Sequence, residues 1–407
     1  MTPAVPAAAD PDDDEPTFPR YDGPPFLSYG FRPFFLAAAL FAGLAVPAWV
    51  WLYANASGAG FLYPARDWHV HEMLFGFLPA VMSGFLLTAV PNWTERAPLR
   101  GMPLLALWLL WLTGRLVLAW PWPTPLAAAV LDGAYLVALA SYLWRELALA
   151  GTWGQAPIAV LISLYAVANG LFHSLALSGA STATAERLVL AVLLLLIAVI
   201  GGRLVPNFTR ELLAQRPAAP VPASFARFDL AALALLASAS LSWIVWPGSP
   251  IAGGLFVAAG LVHLLRLGRW YGWLAWQEPL VLILHLGYGW LALAMLALGG
   301  ALLGVGLTQA SALHVLTTGA VGAMTLAVMT RASLGHTGRA RRAGAVTVVI
   351  YLLVNVGAWL RVLVPSPESP TSLTHLWLGL SAVAWSGAYL LFALVYGPYL
   401  LRPSLDE

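Results

Sequence analysis

Residues 186–205 read ERLVLAVLLLLIAVIGGRLV, a run of 20 residues in which all but three are uncharged. A helix of this length spans the hydrocarbon core of a bilayer, about 30 Å thick, because each helical residue adds about 1.5 Å. Similar runs cover residues 30–53, 69–91, 103–120, 126–148, 156–178, 228–246, 250–267, 279–300, 309–331, 345–363 and 373–395. The sequence therefore predicts an all-α, polytopic membrane protein with about twelve transmembrane helices.

The composition excludes an ordinary soluble protein. Hydrophobic residues make up 60% of the chain and charged residues only 9%, with a mean hydropathy of +0.80. Soluble domains carry about 25% charged residues. Because the connections between the runs are short, we expect residues 26–407 to form a single transmembrane domain. Residues 1–25 are acidic and rich in proline and alanine, which predicts a disordered cytoplasmic tail.

The basic residues predict the orientation. All 20 are arginine, and a net charge of +2 is too small to indicate a nucleic-acid partner. The termini and the even-numbered connections hold Arg20, Arg96, Arg100, Arg145, Arg210, Arg216, Arg227, Arg266, Arg269, Arg331, Arg339, Arg341, Arg342 and Arg402, whereas the odd-numbered connections hold only Arg66, Arg187 and Arg361. The positive-inside rule therefore predicts that both termini are cytoplasmic.

An internal repeat is visible at the ends of two predicted helices. Residues 90–94 read VPNWT and residues 205–209 read VPNFT, and Asn92 and Asn207 lie 207 − 92 = 115 residues apart. Residues 328–331, VMTR, end a third helix about one such period later. Three units of four helices, 26–150, 151–270 and 271–400, fit this spacing, although apolar helices with proline and arginine at their ends can also look alike by chance.

Eight histidines and the absence of cysteine define the candidate metal ligands. Counting along the helices places His69, His71, His173 and His314 in the outer half of the membrane and His285 nearer the cytoplasm. A lone intramembrane histidine is often only a hydrogen bonder between helices, but four at similar depth are harder to dismiss. Imidazole is the common protein ligand of haem iron and copper, so a metal or haem site is predicted.

Other polar residues within the runs add to this site. Tyr165 and Asn169 recur at four-residue spacing with His173 and form one stripe. Arg115 and Asp132 lie at matching depth, which predicts a structural ion pair. Glu72 has no evident partner in its own helix, and it would stay protonated, orient a ligand or relay protons. Arg187 and Arg361, at outer helix ends, are candidate partners for haem propionates.

Seven strings of the sequence resemble the NnrS family of bacterial membrane proteins. They are SYGFRPFFL at 28–36, WHVHEMLFGF at 68–77, GFLLTAVPNWTER at 84–96, GGRLVPNFTR at 201–210, LHLGYGWL at 284–291, ALHVLTTGAVGAM at 312–324 and VMTRASLGHTGR at 328–339. The resemblance implies a protein of the bacterial inner membrane that contains haem b and copper and is linked to denitrification and nitric oxide resistance. His69, His71, Glu72, His285, His314 and His336 fall within these strings.

The resulting hypothesis is a haem protein that binds nitric oxide and reduces it to nitrous oxide, as an oxidoreductase. We expect His71, His173 and His314 to ligate metals in the outer half, with His69 and Glu72 beside them as catalytic groups. We expect His285 to bind a further haem. The alternatives are a transporter without metal, a haem- and copper-binding protein that protects against nitric oxide without turnover, and a metal-delivery scaffold. The sequence does not identify the electron donor.

Overall fold

The computed structural model describes residues 21–54, 62–120, 124–216, 219–364 and 372–405. Within these ranges twelve helices are long and apolar enough to cross a membrane, and each coincides with one predicted run. They are α1 (Phe31–Ala54), α2 (Ala65–Thr94), α3 (Met102–Ala119), α4 (Pro125–Ala150), α5 (Ala156–Leu177), α6 (Ala183–Ala214), α7 (Arg227–Val245), α8 (Pro250–Gly268), α9 (Pro279–Leu302), α10 (Gln309–Gly335), α11 (Ala345–Val362) and α12 (Ser372–Leu401). The prediction of a multi-pass all-α membrane protein is confirmed. The first 20 residues of the predicted tail lie outside the described residues.

Four helices form the interior of the bundle. In α2, α6, α9 and α10, 61–78% of the residues in the most apolar 18-residue stretch are buried. The corresponding share is 33–50% in the other eight transmembrane helices of the described ranges. Val81, Leu193 and Val321, from α2, α6 and α10, line a central apolar cavity of about 100 Å³. The corresponding helix of each predicted four-helix unit thus reaches the centre, while the repeat itself stays a prediction.

Small residues set the contacts between neighbouring helices. Lipid tails are as apolar as leucine, so hydrophobicity alone does not select one helix face, and close packing decides instead. Where α8 crosses α9, a Cβ added to Gly253 would lie 3.1 Å from the carbonyl oxygen of Gly299, and one added to Gly299 would lie 2.8 Å from that of Gly253. Only glycine at both positions permits this approach.

The first and last helices meet at one face of the bundle. The guanidinium of Arg32, at the start of α1, is fully buried and donates to the carbonyl oxygens of Leu400 (3.3 Å) and Arg402 (2.6 Å) and to Oγ of Ser404 (2.7 Å). These carbonyls end α12 and have no partner within their own helix. Arg32 therefore fixes both ends of the transmembrane domain at the same face.

Two of the interior helices contain a π-helical segment. It covers Glu72–Phe77 in α2 and Val315–Ala320 in α10, and each segment begins directly after a histidine, His71 or His314. π-helical turns widen the helix and frequently mark functional sites. Both segments lie next to the polar clusters described below.

Candidate metal centre

Four helices and one connecting segment bring seven polar side chains together inside the bundle. They are Tyr63 before α2, His71 and Glu72 on α2, Arg115 on α3, Asp132 on α4, and Asn169 and His173 on α5. All seven are buried, and none is more than 5% exposed. We call this set the His71–His173 cluster. Because ionisable groups are costly in a membrane, a set of this size indicates a functional site.

Asp132 is the centre of the cluster. Its Oδ2 accepts hydrogen bonds from Nε2 of His173 at 2.9 Å and from Nδ2 of Asn169 at 3.0 Å, and lies 3.2 Å from Nε2 of His71. Its Oδ1 accepts from Nη2 of Arg115, so the structure joins the two residues predicted to pair. One carboxylate thereby contacts side chains from three other helices.

Arg115 also holds Glu72, for which the sequence offered no partner. Nη1 of Arg115 donates to Oε2 of Glu72 at 2.8 Å, and Oε1 of Glu72 lies 3.3 Å from Nδ1 of His71. One guanidinium and two carboxylates leave one negative charge if both imidazoles are neutral. A proton on His71, whose two ring nitrogens each face a carboxylate, neutralises the cluster, and so does a bound monovalent cation.

Tyr63 completes the hydrogen bonding of His173. Its hydroxyl lies 2.6 Å from Nδ1 of His173. Burial, and next the charge of Asp132, raises the pKa of the Tyr63 hydroxyl, so it stays protonated and donates to Nδ1. Nε2 of His173 then carries the ring proton and donates to Asp132. Tyr63 was missed by the sequence analysis, because it lies between two predicted helices and no pattern marks it.

Pro79 leaves one carbonyl oxygen of the π-helical segment of α2 without a backbone partner. In a π-helix each N–H donates five residues back, as Leu78 does to Met73, and the next donor would be Pro79, which has no N–H. The free carbonyl oxygen of Leu74 accepts from the hydroxyl of Tyr165 instead. The widened turn thus ties α2 to α5, at the level where His71 meets His173.

Glycine at position 76 makes room for the charged groups. A Cβ on Gly76 would overlap the guanidinium of Arg115 and the carboxylate of Glu72. The carbonyl oxygen of Gly76 accepts a hydrogen bond from Nε1 of Trp111 at 2.9 Å. The segment EMLFGF at 72–77 therefore places Glu72 and leaves space for Arg115 beside it.

The His71–His173 cluster has the donor set of a metal site. Ligand atoms of His71, Asp132 and His173 all lie within 4.8 Å of one another. Two imidazole nitrogens and one carboxylate oxygen are ligands of non-haem iron, and imidazole also suits copper. The rings of His71 and His173 are 4.8 Å apart with Asp132 bound to both. That spacing suits a single ion and leaves no room for a porphyrin between the two rings.

The other predicted outer-half ligands form a second group, at the start of α2 and α10. His69 and His314 lie close enough to interact electrostatically, and Arg361 on α11 interacts with both. His69 stacks on Trp49 at 4.1 Å, and its Nδ1 is buried without a hydrogen-bond partner in the described part of the chain. The four histidines of similar predicted depth are therefore divided between two places.

His314 has the hydrogen bonding of a metal ligand. Its Nδ1 lies 2.7 Å from the carbonyl oxygen of Ala310 and must donate to it, which leaves the lone pair on Nε2. Metal-binding histidines commonly donate their other ring N–H to such a carbonyl. Among the described residues, Nε2 of His314 and Nδ1 of His69 thus have no hydrogen-bond donor.

His285 and Arg187 lie apart from the His71–His173 cluster. Nε2 of His285, on α9, forms a hydrogen bond of 2.8 Å with Oγ1 of Thr209. His285 also lines a groove of about 530 Å³. Arg187 donates to Oγ1 of Thr184 on its own helix at 3.0 Å. No described contact joins either residue to His71 or His173.

A second buried ion pair was also missed from the sequence. Nε of Arg266 donates to Oδ1 of Asp229 at 2.7 Å, and Nη1 of Arg266 donates to the hydroxyl of Tyr288 at 2.7 Å. The same hydroxyl lies 2.8 Å from Nδ1 of His263. The sequence predicts a cytoplasmic connection for Arg266, whereas the structure buries it within α8. Both Arg266 and Asp229 fall within predicted apolar runs, and their position there was the signal that could have revealed the pair.

Comparison with known proteins gives one result. A family model described as NnrS protein matches residues 25–404, nearly the whole chain. None of the curated proteins compared with the chain matches it.

Proposed function

Since the chain belongs to the NnrS family, we propose that it is a metalloprotein that binds nitric oxide and reduces it to nitrous oxide. We further propose that it lies in the bacterial inner membrane with both termini in the cytoplasm, where it serves denitrification or defence against nitrosative stress. Membership of the family points to a membrane protein related to nitric oxide. The observation that carries the finer proposal is the convergence of His71, His173 and Asp132 in the membrane interior.

We assign copper to the His71–His173 cluster, with Nε2 of His71, Nε2 of His173 and a carboxylate oxygen of Asp132 as ligands. A nitrogen that binds a metal carries no proton, so with copper bound the ring proton of His173 would lie on Nδ1 and donate to the hydroxyl oxygen of Tyr63. The donor set fits a single small cation, and the cluster carries a negative charge that such a cation neutralises. When bound, the copper supplies a redox centre at which nitric oxide is held. Arg115 and Glu72 do not contact the ion in this assignment, and they fix the orientation of Asp132 and His71.

We assign haem b to His314 and His69. The fit rests on the unpartnered Nδ1 of His69 and on the hydrogen bond that leaves Nε2 of His314 free. Arg361 interacts with both histidines and would neutralise a propionate, and Arg187, at the outer start of α6, remains a predicted second propionate partner. His285 remains a predicted ligand of a further haem, and its surroundings suggest another role that is described in the next subsection.

The side chains of the cluster can supply protons to the reaction. Two molecules of nitric oxide take up two electrons and two protons to give nitrous oxide and water. Tyr63, His173 and Asp132 form an unbroken hydrogen-bonded chain that starts at the connection before α2. Glu72 holds a second carboxylate beside His71. In this proposal Glu72, which does not bind the copper, passes protons to the site, while the aromatic rings of Phe75 and Phe172 against His71 exclude bulk water.

The test uses the full chain, purified and reconstituted in lipid nanodiscs. Metal analysis and an optical spectrum measure copper and haem, and gas chromatography measures nitrous oxide formed from nitric oxide with a chemical reductant. We expect His71→Gln to lose copper and His314→Gln to lose the Soret band, with nitrous oxide formation lost in both. His263→Gln, which changes a buried histidine of another cluster, should retain all three.

Three outcomes reject parts of the proposal. Protein that carries haem and copper and binds nitric oxide but forms no nitrous oxide would leave a binding role without turnover. Protein that contains neither metal after reconstitution with both would favour transport. Loss of copper in His263→Gln but not in His71→Gln would exclude the assigned copper site.

A further inference from the structure

A groove of about 530 Å³ runs along α8, α9 and α11, away from the His71–His173 cluster. Leu286 and Leu293 of α9 and Trp359 of α11 line it and are 40–52% exposed. On transmembrane helices such exposed apolar side chains face lipid. The groove therefore opens to the bilayer interior, and a ligand would reach it from the membrane.

The inner wall of the groove presents an unused hydrogen-bond acceptor. The hydroxyl of Thr209 donates to the carbonyl oxygen of Val205 at 2.7 Å, so at 2.8 Å it accepts from Nε2 of His285. Nδ1 of His285 then carries a lone pair, and it is buried without a partner in the described part of the chain. His285 is only 6% exposed. A buried acceptor without a donor is costly, and a ligand hydroxyl would satisfy it.

Gly272 lies beside this nitrogen and also lines the groove. A Cβ at position 272 would overlap Nδ1 of His285. Every other residue type would cover the nitrogen from the side of the groove. The glycine thus keeps the lone pair uncovered by a side chain.

The groove offers a second polar group beside an aromatic wall. Oδ1 of Asn355 accepts from Nε1 of Trp290 at 2.8 Å, and Nδ2 of Asn355 donates to the carbonyl oxygen of Tyr351 at 2.8 Å. An amide has a second lone pair and a second N–H, so Asn355 can bind one more group. The rings of Trp290 and Trp359 lie 4.7 Å apart and form one wall.

We propose that the groove binds the headgroup of an isoprenoid quinol. One ring hydroxyl donates to Nδ1 of His285, the opposite ring oxygen binds the amide of Asn355, and the isoprenoid tail leaves through the lipid-facing side. The ligand must be flat, carry polar atoms at both ends and enter from the bilayer. None of the described residues that line the groove is charged, which disfavours a phospholipid headgroup. A sterol has a polar group at one end only.

This inference deepens the proposed function and rests on it for its role, because it identifies the class of electron donor. Oxidation of one quinol releases two electrons and two protons. Two molecules of nitric oxide consume the same number to give one nitrous oxide and one water. Quinol and two nitric oxide molecules therefore yield quinone, nitrous oxide and water, with all atoms and electrons balanced.

Binding is tested without nitric oxide or a metal. The full chain in quinone-free nanodiscs is titrated with a benzoquinone that carries a ten-carbon tail, and quenching of tryptophan fluorescence reports occupancy. We expect saturable binding that weakens about tenfold in His285→Leu, the effect of one lost hydrogen bond to a buried group. Gly289→Leu, at a position that lines the groove and where an added Cβ meets only Leu267 at 3.7 Å, should abolish it.

A matched substitution controls for a general effect on the membrane protein. Gly254 lies on the exposed face of α8 with no side chain within reach of an added Cβ, so Gly254→Leu should bind the quinone as the wild type does. Equal binding by Gly254→Leu and Gly289→Leu would overturn the proposal. So would loss of a haem spectrum in both Gly289→Leu and His285→Leu, because the groove would then hold a haem.

The proposed nitric oxide reduction and the proposed quinone binding can be rejected independently of each other. With a chemical reductant, Gly289→Leu should form nitrous oxide at the wild-type rate, and with a quinol it should form none. Wild-type protein that binds the quinone but forms no nitrous oxide would reject the proposed function and support the groove as a quinone site. Wild-type protein that forms nitrous oxide but shows no saturable quinone binding would reject the groove alone.

Discussion

Oδ2 of Asp132 lies 2.9 Å from Nε2 of His173 and 3.2 Å from Nε2 of His71. One carboxylate oxygen on α4 thus faces ring nitrogens from α5 and α2. The other oxygen of the same carboxylate accepts from Arg115 on α3. Asp132 therefore determines both the spacing of the two imidazoles and the charge between them.

Asp132→Asn keeps the shape of this side chain and removes its charge. We expect copper affinity to fall at least about tenfold, because the variant loses an anionic ligand and the orientation it gives to two others. The measurement is the copper retained per protein during dialysis against a chelator of known affinity. Asp67→Asn, which removes a carboxylate in the first turn of α2, is the control. Equal copper retention in the two variants would show that Asp132 is not a ligand.

Arg115→Met removes the cation that binds Glu72 and Asp132. Breaking a buried ion pair by deleting one partner costs about 3–5 kcal/mol, because an uncompensated charge remains inside. We expect a loss of this size in the free energy of unfolding, measured by titration with a denaturing detergent. Arg145→Met removes an arginine whose side chain is 65% exposed, and it should cost at most about 1 kcal/mol.

A double variant checks the cause of this effect. If the cost comes from the unpaired carboxylates, combining Arg115→Met with Asp132→Asn should cost less than the sum of the two single changes. Additive costs would mean that the two residues stabilise the bundle independently.

Tyr63→Phe removes the hydrogen bond to Nδ1 of His173. We expect copper affinity to fall about 10–100-fold, because the partner that fixes the ring proton of a ligating histidine is lost. Tyr135→Phe also deletes a buried hydroxyl, one that bonds Ser83 and the carbonyl oxygen of Pro79, and it should leave copper affinity unchanged. Chelator competition measures both, and a similar decrease in the two variants would exclude a specific role for Tyr63.

Gly76→Ala places a methyl group against Arg115 and Glu72. Overpacking of this kind costs about 1–3 kcal/mol, since neither charged group can move without losing its partner. Gly170→Ala, on α5 with open space around it, should be neutral or slightly stabilising. Titration with a denaturing detergent measures the free energy of unfolding of both variants. Equal stability of Gly76→Ala and Gly170→Ala would show that the segment around Gly76 accommodates the methyl group at no cost.

The twelve helices could be predicted from the sequence because each is a continuous apolar run. The matching depths of Arg115 and Asp132 could also be read from their distance to the helix ends. The helices that each histidine contacts could not. His69 and His71 are two residues apart on one helix and so point about 200° apart, and only the packing of α2 shows that one faces α5 and the other α10.

The positions of two further side chains could not be predicted from the sequence. Tyr63 belongs to a connection, where no periodicity places a side chain. Arg32 lies near the start of an apolar run, where an arginine side chain commonly extends to the membrane surface. In the structure it is instead fully buried and donates to carbonyl oxygens at the end of α12, more than 360 residues away.

The amino-acid sequence by itself determined that this chain crosses a membrane about twelve times, because hydrophobic length is a local property that needs no partner. It also supplied the inventory of ligands, since the absence of cysteine leaves imidazole as the strongest. Only the tertiary structure decided which imidazoles share a site. All faces of these helices are apolar, so the contacts between them depend on small residues and buried polar pairs from distant parts of the chain, and such contacts exist only once the helices have packed.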